Sequence, residues 1–204
     1  MLRSAIRRSW LRSTLYGVVA CAPLVAGCTG SSDPASDWER DHAKGLEARQ
    51  AGRYAEAESR LAAALKAAER LKPDDPRLLT TLTDLIDLYD TQGKHSEVEP
   101  LLRRVLTVTE QTQGEGHPQA AVVLHKLAKL NHRLGEYGEA ESFYRRALAI
   151  DDKALGPTHP DTLVIVHEYA ALLRETNRTD EADTFLAARA KTNKSAAPLP
   201  ICPD

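Results

Sequence analysis

Hydrophobic and polar residues between about residues 37 and 194 alternate with the period of an α-helix rather than that of a β-strand. Between Pro118 and Leu134, apolar or small side chains and one amide form a stripe along a helix: Val122, Leu124, Leu127, Ala128 and Asn131. Between Tyr137 and Ala154 a similar stripe is formed by Ala140, Phe143, Tyr144, Ala147 and Leu148. Residues at this spacing share one face of a helix. The pattern therefore predicts two helices, each with one buried face, joined by a short turn.

The same pair of helices recurs along the chain. Four segments superimpose without gaps: AGRYAEAESRLAAAL from Ala51, QGKHSEVEPLLRRVL from Gln92, LGEYGEAESFYRRAL from Leu134 and TNRTDEADTFLAARA from Thr176. Each contains, at the same place, a residue suited to the left-handed backbone that ends many helices: Gly52, Gly93, Gly135 and Asn177. These positions are 41, 42 and 42 residues apart. A repeat of this length predicts an all-α protein of about four helix-turn-helix units, at about 37–75, 76–117, 118–159 and 160–194.

Small residues predict how closely the two helices of a unit cross. Ala57, Ala140 and Ala182 lie at equivalent places in their second helices, where a short side chain lets the first helix approach. Val98 is the bulkier exception in the second unit. We therefore expect close helix crossings in the first, third and fourth units.

Prolines mark where first helices begin. Each of three equivalent prolines follows a residue with a polar side chain: Asp75-Pro76, His117-Pro118 and His159-Pro160. Proline suits the first helical position because the N–H there has no partner within the helix, and the residue before it can cap the helix. Since an aspartate replaces histidine in one copy, we expect the two histidines to act as caps rather than as catalytic bases.

These features together resemble the tetratricopeptide repeat, in the 42-residue form of kinesin light chains and many bacterial proteins. The matching residues are Gly135, Tyr137, Glu139, Ala140, Glu141, Tyr144, Arg146, Ala147 and Leu148 in the second helix, and Gly156, His159, Pro160 and Thr162 in the loop. The first unit departs from the pattern at Gly45 and Asp74-Asp75, and the fourth at Arg189. The resemblance implies a right-handed superhelical solenoid of stacked hairpins, with a concave groove that binds peptides.

The first 27 residues have the character of a signal peptide. Four arginines precede an apolar run from Leu15 to Ala26, and no acidic residue occurs before Asp33. The run is too short to cross a bilayer comfortably, since a spanning helix takes roughly 20 apolar residues. Val25-Ala26-Gly27-Cys28 resembles the lipobox of bacterial lipoproteins. The resemblance implies a lipid anchor on Cys28. The polar residues that follow, with their Gly-Ser-Ser and Asp-Pro, predict a flexible tether over residues 28–36.

The cleavage site and the export route of this leader stay open. Ordinary cleavage after Ala20-Cys21-Ala22 would leave Pro23 directly after the cut, where proline is poorly tolerated. The stretch from Arg7 to Arg12 also resembles a twin-arginine export motif, with Trp10 in place of the usual phenylalanine. That motif would carry the protein across the membrane already folded.

Charge and cysteine content narrow the choice of partners. The chain has a net charge of −2, and loss of the four leader arginines would lower it to about −6. A nucleic-acid partner is therefore not expected. Of the three cysteines, Cys21 would leave with the leader and Cys28 would carry lipid, so Cys202 would remain as an odd thiol. A short disordered tail is expected over residues 195–204.

Catalytic and cofactor motifs give no support for an enzyme. His167-Glu168 begins like the zinc motif HExxH, but Ala171 stands where the second histidine is required. No nucleophile elbow, P-loop, CxxC pair or dinucleotide fingerprint occurs. The sequence therefore predicts no catalytic residue, cofactor, metal site or small-molecule substrate.

A set of polar residues on the first helices marks the expected groove. In this family, residues at the register of His42, Thr83, His125 and His167 face the concave surface. Further residues share that face: Arg49, Asp87, Asp90, Lys129, His132, Arg133 and Arg174. The first, third and fourth units are basic there, and the second is acidic. A solvated face without any ligand is the plain alternative to a peptide site.

The sequence therefore predicts a non-enzymatic scaffold that binds a protein or an acidic peptide in its groove. The leader places it in a bacterial cell envelope, held by lipid and facing the periplasm from the outer membrane. The alternative is an assembly subunit of an envelope complex that packs through the outer faces of its second helices.

Overall fold

The computed structural model describes residues 33–195, which form an all-α helical repeat fold. The helices are α1 (Pro34–Gln50), α2 (Tyr54–Ala68), α3 (Pro76–Thr91), α4 (His95–Gln113), α5 (Pro118–Leu134), α6 (Tyr137–Ala154), α7 (Pro160–Glu175) and α8 (Thr179–Ser195). Successive helices pair as repeat 1 (α1 and α2), repeat 2 (α3 and α4), repeat 3 (α5 and α6) and repeat 4 (α7 and α8). The leader with Cys28, most of the expected tether, and the tail with Cys202 lie outside the described residues. No helix within residues 33–195 is long and apolar enough to span a bilayer.

Each first helix begins with proline behind a capping side chain. The prolines at 34, 76, 118 and 160 follow one another at intervals of 42 residues. His117 Nδ1 accepts a hydrogen bond from the backbone N–H of Gln119 at 3.2 Å, and His159 Nδ1 accepts one from Asp161 at 3.3 Å. Asp75 caps α3 in the same way. The structure thus confirms that the two histidines act as helix caps.

The tether was predicted to reach residue 36, and this boundary is wrong. Helix α1 already begins at Pro34, and the carboxylate of Asp33 accepts a hydrogen bond from the backbone N–H of Ala35 at 3.3 Å. Asp33-Pro34 therefore carries the same cap signal as Asp75-Pro76. The tether can extend no further than residue 32.

First helices end at the predicted left-handed residues. Gly52, Gly93, Gly135 and Asn177 have φ angles of 73°, 69°, 81° and 59°. At the end of α5, the N–H of Gly135 donates to the carbonyl of His132, and the N–H of Glu136 donates to that of Asn131. These bonds satisfy carbonyls that a helix end would leave without partners.

The predicted core is confirmed except at one position. Asn131 is buried and donates its side-chain amide to the carbonyl of Leu127 at 3.0 Å, and the α6 stripe is buried throughout. Val122 is 54% exposed, so its assignment to the buried stripe is wrong. Helix α5 packs against neighbours on two sides and buries Ala121 and Val123 instead, which turns residue 122 to the surface.

Close crossing of α1 and α2 depends on Gly45. A Cβ atom at this position would lie 2.8 Å from Leu61 Cγ and 3.3 Å from the Leu61 backbone nitrogen. Leu61 is fully buried and has little room to move. Gly45, which departs from the family pattern in repeat 1, therefore makes space for the large side chain of Leu61.

We expect Gly45→Ala to lower the free energy of unfolding by roughly 1–2 kcal/mol, because overpacking outweighs the gain in helix propensity. Gly138→Ala is the matched control, since a Cβ there meets no atom within 4 Å. The control should be neutral or stabilising by up to about 1 kcal/mol. Urea unfolding of both variants checks this, and equal stability of the two would contradict the tight crossing.

Candidate protein-binding site

The predicted groove residues lie on one exposed side of the described chain, formed by α1, α3, α5 and α7. We call this side the first-helix face, and the side formed by α2, α4, α6 and α8 the second-helix face. The near-constant repeat length places equivalent residues of successive repeats next to each other. Side chains on this face consequently meet across repeats.

Repeats 1 and 2 are joined on the first-helix face by polar contacts. His42 Nε2 lies 2.7 Å from Asp84 Oδ2, and Arg49 lies 3.6 Å from the other oxygen of the same carboxylate. Trp38 stacks on the His42 ring with centroids 4.4 Å apart, and its indole N–H donates to Thr81 at 2.7 Å. Two predicted groove residues, His42 and Arg49, are thus held by the next repeat.

Repeats 3 and 4 are joined in the same way. His125 Nε2 lies 2.5 Å from Glu168 Oε2, and Lys129 Nζ lies 3.3 Å from the other oxygen of Glu168. His132 Nε2 lies 2.8 Å from Glu175 Oε2. These contacts occupy side chains that the sequence made candidates for binding an acidic partner.

The other predicted groove residues differ in whether a second side chain lies close to them. Arg174 forms an ion pair with Asp183 at 2.8 Å. His167 is exposed and forms no hydrogen bond or ion pair with another residue between 33 and 195. Asp87 lies 4.0 Å from Arg49, and Asp90 lies 3.7 Å from His95. Thr83 is exposed and bonds to its own helix.

Sequence reasoning missed the carboxylates of this face. Asp84, Glu168 and Glu175 each pair with a histidine of the preceding repeat, 42 or 43 residues earlier. An acidic residue one repeat length after a groove histidine was the available signal. This signal is hidden because the carboxylate lies one residue beyond the position that is equivalent to the histidine in the next repeat.

We call the series of pairs His42–Asp84, His125–Glu168 and His132–Glu175 the ladder. The ladder is interrupted between α3 and α5. At this junction, Thr83 stands at the position of the histidine and Lys126 at the position of its carboxylate partner. These two side chains cannot form an ion pair. Within residues 33–195, no hydrogen bond or ion pair links α3 to α5. The first-helix face is therefore open at the junction of repeats 2 and 3.

Two adjoining cavities occupy this open junction, with volumes of about 280 Å³ and 200 Å³. They share Ile86, Leu102 and Lys126 in their walls. We call the combined space the trough. Its apolar lining consists of Leu79, Ile86, Val98, Leu102, Val105, Val122, Val123 and Leu130.

The lining follows from the residues that distinguish repeat 2. Ile86 and Val98 stand where repeat 3 has Ala128 and Ala140, and where the other repeats carry glycine or alanine. Both larger side chains line the 280 Å³ cavity. The bulky exception noted at Val98 thus forms part of the buried wall of the trough, where it is 2% exposed.

The two walls of the trough carry side chains of opposite charge at its rim. Lys126, Lys129 and Arg133 lie on the α5 wall, and Asp90 lies on the α3 wall. Lys126 and Arg133 are exposed and form no ion pair with any residue between 33 and 195. These two cations are therefore available to a ligand, unlike the paired cations of repeats 3 and 4.

Residues 44–111, 99–153 and 119–188 match the family model described as Tetratricopeptide repeat. The matches together span more than half of the chain. The chain belongs to the tetratricopeptide repeat family. Proteins of this family generally mediate protein–protein interactions, and the match indicates no enzyme family.

Several solved structures have folds similar to that of this chain. A kinesin-light-chain candidate from Podosopora anserina with nearly identical TPR-like repeats has 24% identity and a TM-score of 0.61, over 81% of this chain and 78% of that one. BtubC (BKLC) from P. vanneervenii has 18% identity and a TM-score of 0.62, over 86% and 71%. Aspartyl phosphate phosphatase F from Bacillus subtilis has 12% identity and a TM-score of 0.57, over 81% and 42%. No curated protein sequence matches this tetratricopeptide repeat chain.

The second-helix face of this tetratricopeptide repeat protein carries a different arrangement at repeats 3 and 4. Glu141 accepts hydrogen bonds from Arg178 at 2.5 Å and from the Tyr169 hydroxyl at 3.1 Å, and Arg145 pairs with it at 2.7 Å. A cavity of about 320 Å³ lies beside this cluster. Its charged lining residues, such as Arg145 and Arg189, are already paired within the chain. Within residues 33–195, no group of three or more histidine, cysteine or acidic side chains is placed to hold a metal ion.

The Glu141 cluster makes stability depend on pH. Hydrogen bonds from Arg178 and Tyr169 hold the pKa of Glu141 below its ordinary value of 4.5. The ionised carboxylate therefore stabilises the fold above that value, and the stabilisation is lost as the pH falls through the lower folded value. We expect Glu141→Gln to cost roughly 1–2 kcal/mol at pH 7 and much less near pH 3.

Thermal unfolding of the wild type and Glu141→Gln at both pH values measures this difference. Glu136→Gln is the control, because Glu136 is exposed and its side chain bonds to no other residue between 33 and 195. A difference between wild type and Glu141→Gln that persists unchanged near pH 3 would show that the carboxylate's charge is not responsible.

Proposed function

We propose that this protein is a non-enzymatic binding module that holds a segment of another protein in the trough. The observation that carries the proposal is the interruption of the ladder between α3 and α5. There the first-helix face combines an apolar lining with two unpaired cations, Lys126 and Arg133. Elsewhere on this face, His42, His125 and His132 are engaged by the neighbouring repeat.

The chemistry of the trough selects an acidic segment with apolar side chains. Lys126 and Arg133 lie seven residues apart on one helix, which separates their backbones by about 10 Å. A ligand with two carboxylates at this separation can pair with both cations while apolar side chains fill the cavities. Apolar burial contributes roughly 25 cal/mol for each Å² removed from water, so it adds affinity while the charges set the orientation.

The assembly-subunit alternative places the contact on the second-helix face. Its strongest support is the cavity beside Tyr169 and Phe185. The charged groups around that cavity are satisfied within the chain, so a partner there would meet fewer open polar groups. The trough is therefore the favoured site.

Site-specific photocrosslinking tests the proposal in intact cell envelopes. A benzophenone amino acid replaces Val122, which is exposed at the trough, or Thr107, which is exposed on α4. We expect one protein to be crosslinked from position 122 and not from position 107. Crosslinking from position 107 but not from 122 would favour the assembly subunit, and no crosslink from either would contradict both readings.

We also propose that lipid on Cys28 tethers the module to the membrane of a bacterial cell envelope, on its periplasmic side. The support is the Val25-Ala26-Gly27-Cys28 pattern at the end of the apolar run. Cys28→Ala should abolish lipid attachment and release the protein from membranes or leave it uncleaved. Mass spectrometry of the N-terminus of wild-type protein decides the matter, because an unmodified terminus at another residue would refute the anchor.

A further inference from the structure

The three junctions between repeats differ in where they are cross-linked. Repeats 1 and 2 are linked on the first-helix face by His42 and Asp84, and on the second-helix face by Lys94 and Glu58 at 2.9 Å. Both faces are therefore fastened at this junction. A rotation that opened either face would have to break polar contacts.

Repeats 3 and 4 are fastened on both faces as well. His125 and Glu168 pair on the first-helix face. Arg178 and Glu141 pair on the second-helix face, together with Arg189 and Asp152 at 2.5 Å. Side chains of α6, α7 and α8 meet at Tyr169, which bonds to Arg145 and Glu141 of α6 and packs against Phe185 of α8 with ring centroids 5.1 Å apart.

Repeats 2 and 3 are fastened on one face. Arg103 and Glu139 pair at 3.3 Å, and Arg146 and Glu110 pair at 2.6 Å, both between α4 and α6. The first-helix face of this junction holds the trough in place of such links. Packing continues beside the trough, because buried residues of α4 and α5 that do not line it share one core cluster: Leu106, Ala120 and Leu124.

We propose that the junction of repeats 2 and 3 is a joint between two stiff pairs of repeats, and that its motion opens and closes the trough. The α4–α6 ion pairs and the shared core lie on the pivot side, and the trough lies on the side that moves. Motion of this kind concentrates where packed elements have the fewest constraints. Closure brings Asp90 on one wall toward Arg133 on the other. The attraction between these opposite charges favours a narrow trough when no ligand is bound.

This joint regulates the binding site, and that part of the inference rests on the proposed function. A ligand that fits the open trough binds with an affinity reduced by the fraction of molecules that are closed. The joint itself is a property of the chain without ligand. It can therefore be tested separately from binding.

Electron paramagnetic resonance measures the joint through distances between paired nitroxide labels. The full chain is studied in detergent with its three native cysteines replaced by serine. One label pair, at Ala43 and Ala171, spans the joint, and all label positions are exposed. Two control pairs lie within the stiff halves, at Ala43 and Thr107 and at Glu136 and Ala171.

We expect the distance distribution across the joint to be about twice as broad as either control distribution. Equal widths for all three pairs would overturn the proposal. Because no ligand is present, this result is independent of whether the trough binds a protein. A broad distribution with no crosslink from Val122 would retain the joint and refute the proposed function.

Exchanging the ladder residues gives a second, reciprocal test. Thr83→His with Lys126→Glu installs at the joint the pair that His125 and Glu168 form one repeat later. This variant should narrow the distribution across the joint to the control width. The reverse change, His125→Thr with Glu168→Lys, should broaden the distribution between Glu136 and Ala171. Unchanged widths in both folded variants, verified by circular dichroism, would show that the ladder does not control the motion.

Discussion

Ala140→Arg is expected to lower the free energy of unfolding by roughly 4 kcal/mol or more, in the range of severe core lesions. Ala140 is fully buried in α6. A guanidinium placed there would force the helices of repeat 3 apart and would lose its hydration without gaining a partner. Because a solenoid repeat packs mainly against its neighbours, the damage should spread to repeats 2 and 4.

Ala149→Arg is the matched control on the same helix, because Ala149 is exposed. This control should change stability by less than about 0.5 kcal/mol. Chemical unfolding of both variants, followed by circular dichroism, gives the comparison. A melt of Ala140→Arg that matches that of the control would contradict the close packing of α5 and α6.

Lys126→Glu combined with Arg133→Glu is expected to reduce capture of the partner at least tenfold, equivalent to about 1.4 kcal/mol. The variant removes both unpaired cations of the trough and sets two carboxylates against the acidic segment. Folding should change little, because exposed charges contribute typically less than about 1 kcal/mol. Capture and melting temperature are measured on the same preparations.

Lys66→Glu combined with Lys153→Glu is the charge-matched control. Both lysines are exposed on second helices, so the net charge changes equally while the trough is untouched. Loss of capture in the control alone would move the site to the second-helix face. Equal loss in both variants would mean that overall charge, rather than the trough, attracts the partner.

Local signals in the sequence were sufficient to predict the fold. A glycine or asparagine ends each first helix, a polar residue and proline begin it, and alanines mark three crossings; each of these effects acts within a few residues. The same rule applied to Asp33-Pro34 predicts the start of α1, which was placed three residues too late. Val122 was misassigned because a single-stripe pattern describes a helix buried on one side, and α5 is buried on two.

The site was harder to predict because it depends on contacts between repeats. The register groups His42, His125 and Lys129 on one face, but their charges cannot be weighed without Asp84 and Glu168. The trough results from a missing pair at Thr83 and Lys126, together with larger side chains at Ile86 and Val98. An absent contact leaves no local pattern, so comparison of successive repeats is needed to find it.

Methyl nuclear magnetic resonance provides the most direct test of protein binding in the trough. The chain has few isoleucines, and Ile86 lines both cavities of the trough, whereas Ile150 and Ile165 lie on α6 and α7. The probe is a synthetic peptide of the segment recovered by the crosslink from Val122. Titration of this peptide into the isoleucine-labelled chain should shift the Ile86 methyl signal strongly and leave those of Ile150 and Ile165 nearly unchanged. Saturable shifts at Ile150 or Ile165 with none at Ile86 would contradict the trough as the binding site.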